Sequence, residues 1–278
     1  MNELNFSLGE ALREITETTP LVVSYTNSVT VSDVANVTLH WDGLPVMSED
    51  EREAADMIAA ANACLLNMGT VDAISEERMI TAGRAASREG VPVTFDPVGV
   101  GATATRTRVG ERIIDEVDIS IVKGNHGEIT ALTGNDADVR GVESVGTYTE
   151  IAETAIACAR KTEAIVVASG ETDIVADEER AFEITAGTPL MGEFVGSGCM
   201  LGVTLATFTG AMDSNHPLAA AIAGTAAFGI AGERAADEDT WNGPASYKRA
   251  FLDSIANSDP DSIGEIDLEK RIEQIAKV

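Results

Sequence analysis

The chain has 278 residues, 44% hydrophobic and 4% aromatic, and its 46 acidic against 19 basic residues give a formal net charge of -27. That length suits one large α/β core or two modest domains, and since no Pro/Ser-rich linker divides it, one domain over 1–278 is expected. The acidic residues are scattered and lysine is scarce, which excludes nucleic acid and anionic membrane as partners and suits a salt-rich, halophilic cytoplasm where charges are screened within about 3 Å.

In chain order, the opening MNELNFSLGEALREITETTP has neither the basic nor the apolar region of an export signal, so a cytoplasmic location is expected. Five β-rich runs follow that end in polar or glycine residues: LVVSYTN (21–27), ACLLNMGT (63–70), VPVTFDPVGVGA (91–102), ISIVKGNHGE (119–128) and AIVVASGETD (164–173). Helical patterns lie between them, one being SEDEREAADMIAAAN, with Ser48 expected as its N-cap and acids in its first turn. This alternation predicts an α/β fold with a central, mostly parallel sheet and crossover helices. DIVADEERAFEIT (173–185) reads as a hairpin on the sheet's edge with Asp177 and Glu178 near its turn. HPLAAAIAGTAAFGIAGERAAD reads as a buried core helix, and the acidic end SDPDSIGEIDLEKRIEQIAKV as finishing in a short amphipathic helix with Glu269 and Glu273 four residues apart.

Ligands of parallel sheets bind beyond the carboxyl ends of the strands, which directs attention to Asn27, Asn67, Asp96, Lys123, Asn125, Glu128, Ser169 and Glu171. Asp96 and Glu128 stand just past two strands, where carboxylates suit Mg2+ between nucleotide phosphates and where turn or cap residues are also common. Lys123 ends an apolar strand, so its charge must reach either a phosphate or a structural carboxylate. In EFVGSGCMLGVTLATF (193–208), Gly196 and Gly198 permit a tight turn, and Cys199 opens a helix whose free N–H groups favour an anion and the thiolate form of the cysteine. The plainer alternative is a helix start carrying a small buried hydrophobe. Neither GxxxxGK[ST] nor GxGxxG follows a strand, so any phosphates must rely on the VGSGC loop. His40, His126 and His216 are isolated, and Cys64, Cys158 and Cys199 are widely spaced and odd in number, which argues against a disulfide framework, a zinc site or a Ser/His/Asp triad.

Seven segments, YTNSVTVSDVANVTL (25–39), PVMS (45–48), DPVGVGAT (96–103), KGNHGEITAL (123–132), ASGETDIVAD (168–177), VGSGCMLG (195–202) and GPASYKRAFLD (243–253), occur in the order found in one family. Across most of its length the chain resembles the hydroxyethylthiazole kinases of the ribokinase-like superfamily. The resemblance implies a ribokinase-like three-layer sandwich and Mg2+-dependent transfer of the ATP γ-phosphate to the primary alcohol of 4-methyl-5-(2-hydroxyethyl)thiazole, in thiamine synthesis and salvage. Carried over by position, Met47 and Gly196 would contact the thiazole and Asn27 would add a hydrogen bond to it; Lys123 and Ser169 would contact the nucleotide; Asp96 and Glu128 would hold Mg2+. Cys199 stands where many ribokinase relatives carry an aspartate base. The resemblance also implies a homotrimer with sites between subunits, in which Met47 and Asn27 serve a neighbour's pocket.

Against the commoner family pattern, Lys123 stands where arginine is frequent and loses its bidentate fork, Ser169 and Ser197 stand where threonine is frequent, and LHWDGLPVM is bulkier and more acidic. Trp41 and Asp42 are expected at the trimer surface, with a reshaped thiazole pocket as the alternative. Phosphoryl transfer asks little of a base, so Cys199 is expected to orient the alcohol and take its proton late. Two other ribokinase-like activities compete: a hydroxymethylpyrimidine kinase, and an ADP-dependent NAD(P)H-hydrate dehydratase, which needs an aspartate at the position of Cys199. A non-catalytic binding module would lack the two carboxylates, Asp96 and Glu128.

Overall fold

The computed structural model describes residues 6–134, 148–212, 216–238 and 241–277. Helix α1 (Leu8–Thr18) leads into strand β1 (Leu21–Tyr25), α2 (Val31–His40), β2 (Leu44–Met47), α3 (Ala54–Ala59), β3 (Ala63–Asn67), α4 (Ala73–Glu89), β4 (Val93–Asp96) and α5 (Ala104–Glu116). Next come β5 (Ile121–Asn125), α6 (His126–Thr133), α7 (Tyr148–Thr162), β6 (Ile165–Ser169), β7 (Asp173–Ala176) and β8 (Arg180–Ile184). The chain closes with α8 (Ser197–Ala211), α9 (Pro217–Asp237), α10 (Pro244–Ala256), α11 (Pro260–Gly264) and β9 (Ile272–Lys277).

The strands form one sheet in the order β2-β1-β3-β4-β5-β6-β7-β8-β9, parallel from β2 to β6 and antiparallel from β6 to β9. Strand β3 and most of β1, β5 and β6 are buried on both faces, which is why they read as unbroken apolar runs. On one face α1, α2, α8, α9 and α10 bury Leu12, Val37, Phe208, Phe228 and Phe251; on the other, α4, α5 and α7 bury Met79, Ile113 and Ile156. The expected three-layer α/β architecture is therefore present. The order reverses at β1, which has β2 on one side and β3 on the other, and this places a crevice at the carboxyl ends of β1 and β3.

Helix α8 lies under that crevice, packed against β1, β3, β4 and β5. Met200 to Thr209 are all buried, and the hydroxyls of Thr204, Thr207 and Thr209 stay satisfied by donating to carbonyls four residues back. Trp41 belongs to this core: its Nε1 donates to Thr204 Oγ1 at 3.0 Å and its ring meets Phe208 edge-on, so it lies neither at a surface nor in a pocket. Asp42 is exposed and accepts a hydrogen bond from Thr16 Oγ1.

Three expectations need correction. The run from Ser48 becomes helical only over α3, and the Ser48 hydroxyl donates to Glu53 Oε1 instead of capping. The predicted hairpin forms as β7 and β8, but it is not the sheet's edge. The predicted C-terminal helix is strand β9, which pairs antiparallel with β8 and supplies its missing ladder partner. The side chain of Glu269 lies outside the described residues. Strand β2, which sequence patterning did not indicate, holds Met47.

Candidate active site

Four neighbouring strands deliver polar side chains to one edge of the sheet. Asn67 ends β3 and Asp96 ends β4, in register with each other, and Asn125 and Ser169 end β5 and β6, also in register. Asp96 is fully buried, and its Oδ2 accepts a 2.6 Å hydrogen bond from Asn67 Nδ2. Its Oδ1 lies 3.6 Å from Lys123 Nζ and accepts no hydrogen bond. Asn67 Oδ1 in turn accepts from Asn27 Nδ2 at 2.8 Å, and both amides donate to Cys199 Sγ, at 3.4 Å from Asn27 and 3.3 Å from Asn67.

The glycine loop meets this row from the α8 side. Gly196 is the N-cap of α8 with φ +104°, a left-handed conformation that favours glycine, and a Cβ there would stand 2.8 Å from Thr30 Cγ2. A Cβ on Gly198 would stand 2.9 Å from Lys123 Nζ. The ammonium and the first turn of α8 thus share one spot. The main-chain ladder of α8 starts with Met200 N donating to Gly196 O, so the N–H groups of Ser197, Gly198 and Cys199 precede it.

Electrostatics follow from burial and this crowding. Burial pushes the Asp96 carboxyl up to about 6, opposed by Lys123 and reinforced by Glu128. Burial also opposes the charge on Lys123, but the carboxylates of Asp96 and Glu128 outweigh it and raise its pKa, so the ammonium persists. For Cys199, burial and then Asp96 push the thiol up, against the opposing pull of Thr30, Lys123 and Asn67. The expectation that the helix terminus favours a thiolate runs against this direction: burial and the neighbouring Asp96 carboxylate favour the neutral thiol.

Glu128 does not stand free. Its Oε1 accepts Gly99 N at 2.7 Å and its Oε2 accepts Asn125 N at 2.8 Å, so it closes the cap of α6 and ties the β4 loop to β5. The Ser169 hydroxyl donates to Gly124 O at 3.3 Å. Met47 sits at the outer end of the row, on β2, half-buried against the α8-side core. Glu171 is exposed. Among the described residues, no group of three or more His, Cys, Asp or Glu is arranged to hold a metal.

Three residues without a marked role in the sequence shape this edge. Arg106 donates to the carbonyls of Met68, Val98 and Gly69 at 2.8, 2.6 and 2.9 Å, tying the loops after β3 and β4 together. Asp173 accepts Gly170 N at 3.0 Å, and burial pushes its carboxyl up to about 6 against the pull of that N–H and of Lys123. His126 is half-buried: its ring is wedged where a Cβ on Gly170 would stand 2.6 Å away, and burial lowers its pKa. Only adjacency to strand ends could have flagged Asp173 and His126, and nothing in the sequence marks Arg106. A cleft of about 290 Å³ opens beside Asn67, lined by Thr26, Ser28, Ser48 and Thr70 among others. A larger one, about 550 Å³, lies between the Glu49–Arg52 turn and α4 and contains none of the strand-end residues.

A family profile described as the hydroxyethylthiazole kinase family matches residues 12–260. A hydroxyethylthiazole kinase of Natronomonas pharaonis is 62% identical over 273 residues, 98% of this chain and 96% of that one. A solved hydroxyethylthiazole kinase structure from Pyrococcus horikoshii superposes with a TM-score of 0.86 at 31% identity, covering 96% of this chain and 98% of the other. A ribokinase-like superfamily protein of Enterococcus faecalis shares the fold, with a TM-score of 0.64 at 12% identity over 92% of this chain and 98% of its own.

Proposed function

The chain belongs to the hydroxyethylthiazole kinase family, and on that footing we propose that it transfers the γ-phosphoryl group of ATP, with Mg2+, to the primary alcohol of 4-methyl-5-(2-hydroxyethyl)thiazole, making the phosphate ester used in thiamine synthesis and salvage. One observation carries this: Lys123 Nζ, the Asp96 carboxylate and the glycine-opened first turn of α8 converge at the carboxyl edge of a parallel sheet.

Lys123 and the N–H groups of Ser197 to Cys199 would receive phosphate charge, with Ser169 beside them for the nucleotide. Asp96 fits Mg2+, because its Oδ1 is buried with no hydrogen bond; each oxygen of Glu128 already accepts a backbone N–H, so Glu128 would act through water. Mg2+ held there would supply charge neutralisation to the phosphates. Asn27, Met47 and Gly196 would line the alcohol's side, and Cys199 would orient the hydroxyl, whose proton passes late to an oxygen of the transferred phosphoryl group as the new O–P bond forms and the bond to ADP breaks. That suffices where the transition state is loose and positioning supplies most of the rate.

A homotrimer with sites between subunits belongs to this proposal, supported by exposed Leu44 on the edge strand β2 and exposed Leu39 on α2 packed against it. So do a salt-rich cytoplasm, supported by the -27 charge and three free cysteines, and a single kinase domain, supported by the continuous sheet. No described helix is long and apolar enough to cross a membrane. The test is to incubate the protein in concentrated KCl with ATP, Mg2+ and either the thiazole alcohol or a hydroxymethylpyrimidine, and to identify the phosphate ester by mass spectrometry. Phosphorylation of the pyrimidine alone would refute the assignment.

A further inference from the structure

Asn67 is a strand-end residue at the centre of the site to which the proposed chemistry gives no task, yet it bonds Asn27, Asp96 and Cys199. It is 3% exposed and makes four hydrogen bonds. Its orientation is fixed by its neighbours. Gly69 N can only donate, and it meets Asn67 at 3.0 Å, so the atom there is Oδ1. Asn27 is fixed in the same way, because its Oδ1 accepts the backbone N–H groups of Val29 and Thr30, leaving Nδ2 to donate to Asn67 and Cys199. Both Nδ2 groups therefore face inward.

We propose that Asn67 is a positioning residue for phosphoryl transfer, whose carboxamide N–H groups hold the Asp96 carboxylate and the Cys199 sulfur in one arrangement, with Asn27 as the second strut. With Oδ2 of Asp96 held by Asn67, Oδ1 is directed at Lys123. With two amides donating to the sulfur, its lone pairs face them and the S–H points away. The thiol that orients the alcohol and the carboxylate suited to the cation are thus set relative to each other by one side chain. Asn67 acts through these two groups, and its own bonds leave Lys123 and Ser169 untouched.

This inference rests on the proposed kinase activity, so wild-type turnover of the thiazole alcohol is measured first, followed by Asn67→Ala and Asn67→Asp at pH 8. Asn67→Asp keeps the side chain's shape and the acceptor oxygen used by Gly69 and Asn27, but it replaces the inward donors with a carboxylate oxygen that faces and repels Asp96 Oδ2. It carries the test if Asn67→Ala fails to fold. The expected result is a fall in kcat of roughly tenfold or more in both variants, with KM for ATP within about twofold of wild type. A purely structural role would move KM for ATP, kcat and the melting temperature together in both variants; that pattern, or wild-type kcat in either variant, overturns the inference alone. No turnover in the wild type overturns the kinase assignment and this inference with it.

Discussion

Replacing Asp173 with asparagine should stabilise the protein at neutral pH, and the gain should vanish in acid. Asp173 begins β7 at the proposed nucleotide edge, accepts Gly170 N through Oδ1, and has its carboxyl pushed by burial from 3.8 to about 6. The unfolded chain therefore releases this proton first as pH rises, so the native state loses stability between about pH 4 and 6, and above pH 6 the full cost applies. That difference amounts to about 3 kcal/mol, and because Asp173 is only half-buried, solvent screening reduces it to about 1–2 kcal/mol. Asparagine keeps the acceptor for Gly170 and removes the charge. For 278 residues the unfolding entropy is about 0.6 kcal/mol per kelvin, so the melting temperature should rise by about 2–3 °C at pH 7.5. At pH 4.5 the gap should shrink to about a third of that. Circular dichroism melts in concentrated KCl at the two pH values measure it. A gap that is equal at both, or that favours the wild type at pH 7.5, would refute the electrostatic argument.

Cys199→Ala should keep turnover within about tenfold of wild type, since a neutral thiol orients rather than activates; a loss beyond roughly a thousandfold would show that it does more. Gly198→Ala would bring a Cβ to 2.9 Å from Lys123 Nζ, so kcat/KM should fall about tenfold while the melting temperature barely moves; unchanged kinetics would dissociate the ammonium from the helix terminus. Trp41→Phe removes the bond to Thr204 and should cost about 1–3 kcal/mol of stability in denaturant titration, leaving both KM values intact because Trp41 is core. With a net charge of -27, the melting temperature should climb with KCl as the screening length shortens from about 10 Å at 0.1 M to about 3 Å at 1 M; a flat profile would contradict a halophilic surface.

The five strands that border the candidate site were legible because parallel strands buried on both faces appear as compact apolar runs bounded by polar residues, and Asn67, Asp96 and Ser169 do end strands. The two edge strands were not. LPVM is four residues long and starts with exposed Leu44, so it carries no alternation to detect. IEQIAK spaces its apolar residues as a helix would, and only the unpaired ladder of β8 makes it a strand, a tertiary demand invisible in local pattern. Within the site, residue types were legible but not their couplings. The sequence places Cys199 at a helix terminus, but only packing shows it half-buried near Asp96, where its pKa moves the other way. Glu128 reads as a free carboxylate, whereas the fold spends both its oxygens on Gly99 and Asn125. The expected place of Trp41 is the trimer surface, although its indole reaches Thr204, far away in sequence.

The ammonium of Lys123, set against the first turn of α8, is a small cationic spot in a molecule whose other charges are mostly negative. An approaching nucleotide is itself a polyanion, so in dilute buffer it meets repulsion at long range before attraction at the site. Salt hides the distant carboxylates far more than it hides a buried ammonium. The association rate of ATP should therefore increase with ionic strength, with the solvent acting as the gate that lets the substrate through.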